Sequence, residues 1–413
     1  MAAPQLYPMQ DLLVIDLTQI YNGPYATYLM ALAGASVIKI EPPGGESLRR
    51  RGAVGGAALP FAMLNGCKQS MVLDLKTHEG KLALKSLAEK ADVIVENFSP
   101  GVMDRLGLGD TVLQALNPRL IYASSSGYGR SGPYAKYPAM DLTIQAMSGT
   151  MQVTGFADAP PVKAGPAIAD FFAGIHLYGA IATALFERER TGVARRLEVA
   201  MQDAVYASLS SNLGMHWFAQ GTPEVTRTGN RHGGLAECPY NVYRTMNGYI
   251  AIICVGDLHW HTLAKAMGRP ELATDPRFVS LKTRVAHMDE VDSIITEWTS
   301  AYDTAILFDR LMEVHIPCAP VRGLDQVMED PNMHERGTLA HIDHPEFGRI
   351  VVQQSPLRYD GVPNRELQPS RPLGADTESI LNERTSLDAE TIAAITAGLN
   401  AARIKIADGN RRN

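Results

Sequence analysis

The sequence predicts an α/β protein, a large open parallel-sheet (Rossmann-like) domain joined to a smaller α+β domain. Three observations predict it. Strand-length apolar runs alternate with helical segments through residue 126, the turns between them carry Gly and Pro, and the pattern breaks at the Gly- and Pro-containing stretch 222–240. Alternating βα units imply a parallel sheet, because each return to the same edge needs a crossover, usually a helix on one face.

In chain order, Asp11–Thr18 (DLLVIDLT) is a short apolar run bounded by polar residues, which suits a buried parallel strand. A turn at Asn22-Gly23-Pro24 leads to a helix over Tyr25–Gly34, stopped by its glycine. Ser36–Glu41 is the next strand, closed by Pro42-Pro43-Gly44-Gly45. The pattern repeats with a strand at Ser70–Leu75 and a helix capped by Thr77 that runs to about Lys90 with Glu79 in its first turn. Further strands are expected at Ala91–Glu96 and Leu120–Ser125. Ligands of such sheets bind at the carboxyl ends of the strands, so Gln19–Pro24, Glu41–Gly45, Asn97–Gly101 and Ser126–Gly132 are candidate site loops.

Helices are expected over 140–149, 171–190 and 201–220, followed by a linker or functional loop at 222–240. Tyr240–Tyr243 and Tyr249–Val255 around Asn247-Gly248 read as a hairpin, with helices at 257–268, 286–298 and 302–313. A β-rich stretch at 338–360, a Pro- and Arg-rich segment at 362–373 and an Ala-rich helical tail close the chain. The expected division is 1–221 for the first part of the large domain, 222–322 for the small one and 323–413 for a segment that returns to the large domain.

Composition narrows the function. With 46% hydrophobic and 20% charged residues among 413, the chain reads as an ordinary globular protein. A net charge of -6 argues against nucleic acid as a partner. Cys67, Cys238, Cys254 and Cys318 have neither C-x-x-C nor zinc spacing and read as reduced thiols, which with the absence of a signal-peptide pattern leads us to expect a cytoplasmic protein. No membrane span is expected; residues 171–186 come nearest but carry His176 and run into Glu187-Arg188-Glu189-Arg190. There is no P-loop, no H-E-x-x-H and no G-x-G-x-x-G after the first strand. Ser124–Gly129 lacks the G-x-S-x-G elbow, and His259/His261 and His341/His344 lack a four-ligand grouping, so neither a serine hydrolase nor a metal site is expected.

One carboxylate stands apart. Asp170 follows a Pro- and Gly-rich approach and opens an apolar helix in which the next acid is Glu187. Two readings fit: an N-cap whose oxygen accepts from first-turn N–H groups, or a poorly solvated carboxylate nucleophile. Lys76, Arg105 and Lys136 lie beside expected strand ends and suit either a solvated rim or the phosphates of a ligand, and Asn97–Gly101 is a turn with an aromatic residue beside it.

Read together, the segments Val14–Thr18 with Gly23-Pro24, Gly34–Glu41, Leu73–Lys76, Asp92–Gly107, Gly127–Gly129, Asp141–Gly149, Thr154-Gly155, the Asp170 stretch, Val199–Ala204, Gly229–His232, Gly268–Pro270 and Asp275–Phe278 resemble the family III CoA-transferases, a group that includes α-methylacyl-CoA racemases. The likeness spans about residues 10–380. It implies ring-shaped subunits interlocked as a homodimer, and a reaction in which CoA moves from an acyl-CoA to a carboxylic acid through an aspartyl-CoA thioester. By resemblance Asp170 is the nucleophile. Leu73, Lys76, Asn97, Phe98, Ser99 and Arg105 hold CoA, Tyr21 and Asn22 border the acyl group, and Lys136, Tyr137 and Met140 fall near a further CoA-contacting loop. CoA thioesters are then substrates and no cofactor is expected. Pro42 stands where relatives often place an arginine, so that contact is lost or supplied by Arg49, Arg50 or Arg51; the family's glycine-rich flap is not present as a run, and Gly233-Gly234 is a short candidate for its role. Racemases of the group carry His directly before the Asp that is here Asp141; Met140 replaces it, so transfer is favoured over racemisation. Arg49–Arg51, Arg130, Arg231 and His232 fit either CoA phosphates or surface acids, or else the second carboxylate of an acid such as succinate, mesaconate, itaconate or citramalate, for which transfer between its own two carboxyls is a further alternative.

Overall fold

The computed structural model describes residues 7–51, 58–220 and 227–410, with side chains through residue 399; the start of the expected 222–240 linker lies outside the described residues. Residues divide into two compact units, one of 1–144, 167–205 and 330–413, the other of 145–166 and 206–329.

The first unit is built on six strands: β1 (Leu13–Asp16), β2 (Ser36–Glu41), β3 (Gln69–Val72), β4 (Val93–Glu96), β5 (Ile121–Ser126) and β6 (Arg196–Ala200). All pair in parallel in the order β3-β2-β1-β4-β5-β6. The order reverses between β1 and β4, so the loops after those two strands border the crevice where such sheets take ligands. Four of the expected strands match in place; β3 ends at Val72, leaving Leu73–Leu75 in the turn beyond it. β6 was missed. Its burial alternates along Arg196-Leu197-Glu198-Val199, as befits an edge strand with one wet face, and so short an alternation between two helices carries little signal.

Two helix starts also differ from expectation. Helix α1 is Asn22–Leu32, so Gly23-Pro24 lies inside its first turn; proline is tolerated there because a first-turn N–H has no intrahelical partner to lose. Helix α2 (His78–Ala88) starts as expected, with Thr77 Oγ1 accepting from Gly80 N at 3.1 Å. Helices α3 (Val102–Leu106) and α4 (Asp110–Leu116) precede β5, and α5 (Asp141–Met147) follows it. Helix α6 is Ile168–Thr191, beginning three residues before its expected start at 171, which moves Asp170 from the cap to the third helical position. By length and composition α6 is apolar enough to cross a membrane, with a mean hydropathy of 1.5 over an 18-residue window. Its apolar side instead covers the sheet, where Leu177, Ile181, Ala184 and Leu185 pack with Val93, Val95, Ile121 and Ala123.

Residues beyond 330 are stitched to this unit. The Asp376 carboxylate accepts from Ser70 N and Thr377 Oγ1 from Val72 N, while Tyr28 donates its hydroxyl to the Gln353 carbonyl. Arg365 reaches the carbonyls of Ala31 and Ala35.

The second unit holds the antiparallel sheet β7 (Tyr240–Arg244), β8 (Tyr249–Ile253), β9 (Cys318–Pro320), whose hairpin turns at Asn247-Gly248 as expected. Trp260, Leu263, Phe278, Val291, Ile295, Leu307 and Leu311 form its core against β8. The expected helix at 201–220 is broken into Met201–Tyr206, a 3-10 turn and Ser210–Ala219; the units change over at 205/206 and 329/330 where the sequence placed 221/222 and 322/323, and also at 144/145 and 166/167 inside the expected 1–221 segment.

Candidate active site

Helix α6 presents Asp170 at its first turn, and Gly174 one turn later on the same face. A Cβ on Gly174 would lie 2.6 Å from the Asn22 carbonyl oxygen and 3.4 Å from Tyr25, so only glycine lets α6 approach the start of α1 this closely. Phe171 stacks on Tyr21 (centroids 6.0 Å apart, 16° between planes) and meets Tyr25 edge-on at 5.0 Å. The residues flanking Asp170 on its helix, Phe171 and Gly174, thus meet Tyr21 and Asn22. The Asn22 amide donates to Ser125 Oγ at 2.8 Å, tying the first turn to the end of β5 and leaving Asn22 Oδ1 buried without a partner among the described residues.

Asp170 does not cap its helix. Ala167 is the residue before the first turn and offers no side-chain acceptor. The capping oxygen comes from α5: Asp141 Oδ1 accepts from Ala169 N at 2.9 Å and Asp170 N at 3.3 Å. The Asp170 carboxylate itself, 7% exposed by residue, has no hydrogen-bond donor among the described residues. Burial, and then the charge of Asp141, push its pKa up to about 7.

The loop leading to Tyr21 is held under strain. Ile20 has φ 67, a left-handed value that a β-branched residue adopts at a cost of about 1–3 kcal/mol. Three hydrogen bonds keep it there: Gln19 N to Asn97 Oδ1 (2.9 Å), Asn97 Nδ2 to Gln19 O (2.8 Å) and Ile20 N to Glu46 Oε2 (3.2 Å). The Asn97 amide, assigned to CoA by resemblance, therefore spans the crevice between the ends of β1 and β4 and is spent on the backbone.

Beside this crevice lies a cavity of 260 Å³ lined by Leu17, Ile40, Pro42, Leu73, Lys76 and Phe98 among others, at the carboxyl ends of β1 to β4. It gathers three of the expected CoA contacts, Leu73, Lys76 and Phe98. Lys76 and Arg105 are exposed, and neither enters an ion pair among the described residues. Ser99 accepts from Val102 N through its carbonyl and opens the turn into α3. Lys136 and Tyr137 lie on the exposed stretch before α5, where Tyr137 clusters with Tyr128 and Tyr134; Met140 immediately precedes Asp141 and is exposed.

Three of the arginines read as candidate clamps are occupied. Arg49 holds both oxygens of Glu41 at 3.0 and 2.9 Å and lies over the Phe61 ring. Arg130 pairs with Asp110 at 2.7 Å, and in the second unit Arg231 pairs with Asp289 and Asp292, each at 2.6 Å. His232, Gly233 and Gly234 also belong to the second unit. His232 Nδ1 accepts from Gly234 N (3.2 Å), which puts the ring hydrogen of its neutral form on Nε2.

The model of CoA-transferase family III matches residues 9–377. The chain belongs to that family. Its relatives include the acetyl-CoA:oxalate CoA-transferase of Acetobacter aceti, 39% identical over 88% of this chain and 92% of that one. The succinyl-CoA:mesaconate CoA-transferase of Haloarcula hispanica is 37% identical over 85% of this chain and 89% of its own. A crystal structure of a CAIB/BAIF family protein from Brucella suis superposes with a TM-score of 0.80 at 33% identity, covering 92% of this chain and all of that one. This family III protein is thus an enzyme, a CoA-transferase. Sequence reasoning missed the Asp141 cap and the glycine at 174 in its site; each depends on a partner far along the chain, which no local pattern reveals.

Proposed function

We propose that this CoA-transferase moves CoA from an acyl-CoA to a small dicarboxylic acid through a thioester on Asp170. The observation that carries the reading is a buried carboxylate with no hydrogen-bond donor among the described residues, on a helix whose Phe171 and Gly174 pack against the turn after β1; the cavity at the strand ends, with Lys76 on its lining, supports CoA as the ligand. An Asp170 oxygen attacks the donor's thioester carbon, breaking C–S and giving a mixed anhydride and CoA thiolate. The thiolate attacks Asp170 Cγ, which releases the donor acid and leaves aspartyl-CoA. The acceptor carboxylate then attacks Cγ and expels the thiolate, and the thiolate attacks the acceptor's acyl carbon, freeing Asp170.

Oxalate and mesaconate in the names of the relatives above, and succinate and glutarate in that of an Agrobacterium fabrum relative 33% identical to this chain, are all dicarboxylic acids, which supports that acceptor class. The paired state of Arg49, Arg130 and Arg231 assigns the second carboxylate to none of them. Interlocked homodimerisation in the cytoplasm completes the reading; the exposed Trp217 and Phe218 of the second unit and four free cysteines support it.

The test is trapping. The enzyme is incubated with acetyl-CoA or succinyl-CoA, quenched with hydroxylamine and mapped by mass spectrometry. Modification of Asp170 that disappears on adding oxalate, mesaconate, succinate or glutarate is expected. Absence of any adduct across a panel of acyl-CoAs, or full activity in Asp170→Ala, overturns the nucleophile.

A further inference from the structure

We propose that Asp141 is a positioning residue for transfer, capping the nucleophile's helix so that the Asp170 carboxylate stays off its own backbone and faces the thioester; this rests on the reading of Asp170 given above. An acid at the third helical position ordinarily reaches back to the free N–H groups of the first turn. In α6 two of those groups are already taken: Ala169 N and Asp170 N donate to Asp141 Oδ1. An outside carboxylate has assumed the role that would otherwise disarm the nucleophile.

Asp141 is itself held in place. Thr143 Oγ1 accepts from Met140 N (2.9 Å) and donates to Met140 O (2.8 Å), closing the start of α5. One residue on, Ile144 is buried against Ala169 and Ala173 of α6, so the two helix starts are packed as one piece. The arrangement also removes Ala169 N and Asp170 N as donors to an oxyanion in the ground state. Among the described residues the charge acting on Asp170 is that of Asp141 on α5, and from the α1 side the phenols of Tyr21 and Tyr25 meet the neighbouring Phe171.

The experiment uses the full chain with Asp141→Ala and Asp141→Asn, circular dichroism as a check on folding, and kcat and KM for the acyl-CoA from about pH 5 to about pH 9. Asp141→Ala should lower kcat by about 10- to 100-fold with KM for the acyl-CoA within about 3-fold, and slow the appearance of the trapped Asp170 adduct equally. Asp141→Asn keeps an acceptor oxygen and loses the charge. It should retain most of kcat and move the acid limb of the profile to lower pH, because a departing negative neighbour lowers the proton affinity of Asp170. Wild-type kcat in Asp141→Ala together with an unmoved acid limb in Asp141→Asn overturns the proposal; if Asp141→Ala does not fold, the acid limb of Asp141→Asn decides. Failure of the underlying reading is distinct, since it appears as no Asp170 adduct in the wild type.

Discussion

Two buried aspartates of the first unit show how one residue type is put to opposite uses. Asp16, at the end of β1, is 0% exposed, and Asp170 is 7% exposed. Asp16 accepts from Thr18 N and Oγ1, Thr27 Oγ1 and Lys68 Nζ (3.0 Å), with Lys39 Nζ at 3.9 Å. Burial alone would raise its pKa; the two ammonium groups and the hydroxyls outweigh that and hold it well below the usual carboxylate range. Asp170 has similar burial, a like-charged neighbour and no donor among the described residues, and its pKa is pushed up to about 7. Burial therefore decides neither the charge nor the role of a carboxylate; the donors around it do. The Asp16 cluster is structural. Its lysines also hold the Thr18 and Pro24 carbonyls, so it forms the floor beneath the strained turn that leads to Tyr21.

The largest test of this contrast is Asp16→Asn, which removes the carboxylate that two buried ammonium groups share and should cost about 3–5 kcal/mol of unfolding free energy in urea at neutral pH. Stability within about 1 kcal/mol of wild type would mean that the cluster is not what braces the turn. Asp170→Asn should act with the reverse sign. A carboxyl whose folded-state value of about 7 exceeds 3.8 binds its proton more tightly when folded, so its contribution to stability falls as pH rises between those values. The variant should therefore gain on wild type from about pH 4, by at most about 4 kcal/mol above pH 7, and a pH-independent difference would contradict the assigned environment. Next comes Gly174→Ala. Forcing a Cβ to 2.6 Å from Asn22 O should cost about 1–3 kcal/mol and lower kcat, and an unaltered enzyme would show that the α1–α6 contact does not set the position of Asp170. The smallest effect concerns cations that face outward where Lys39 and Lys68 face inward. Lys76→Ala and Arg105→Ala should each raise KM for the acyl-CoA about 5- to 10-fold, with kcat within about 2-fold and a weaker salt dependence of binding.

Most of the first sheet was legible because its central strands are uninterrupted apolar runs, such as Val14-Ile15 and Val93-Ile94-Val95, each buried on both faces. Asp170 was legible as an isolated acid in an apolar helix. Its role was ambiguous between cap and nucleophile, since the oxygen that resolves the question sits on Asp141, 29 residues away. Asn97 shows the same limit. Its type and place in the turn after β4 marked it for the site, while its pairing with Gln19, 78 residues away, commits its side chain to closing the crevice.

By itself the sequence determined the alternation of strand and helix, the loops at the carboxyl ends of the strands and the family, because periodicity, turn residues and ordered motifs are local properties of the chain. Only the tertiary structure decided which buried carboxylate is neutralised by lysines and which has no donor among the described residues. The electrostatic state of a group depends on what lies within a few ångströms of it, and those neighbours are brought together by packing from distant parts of the sequence.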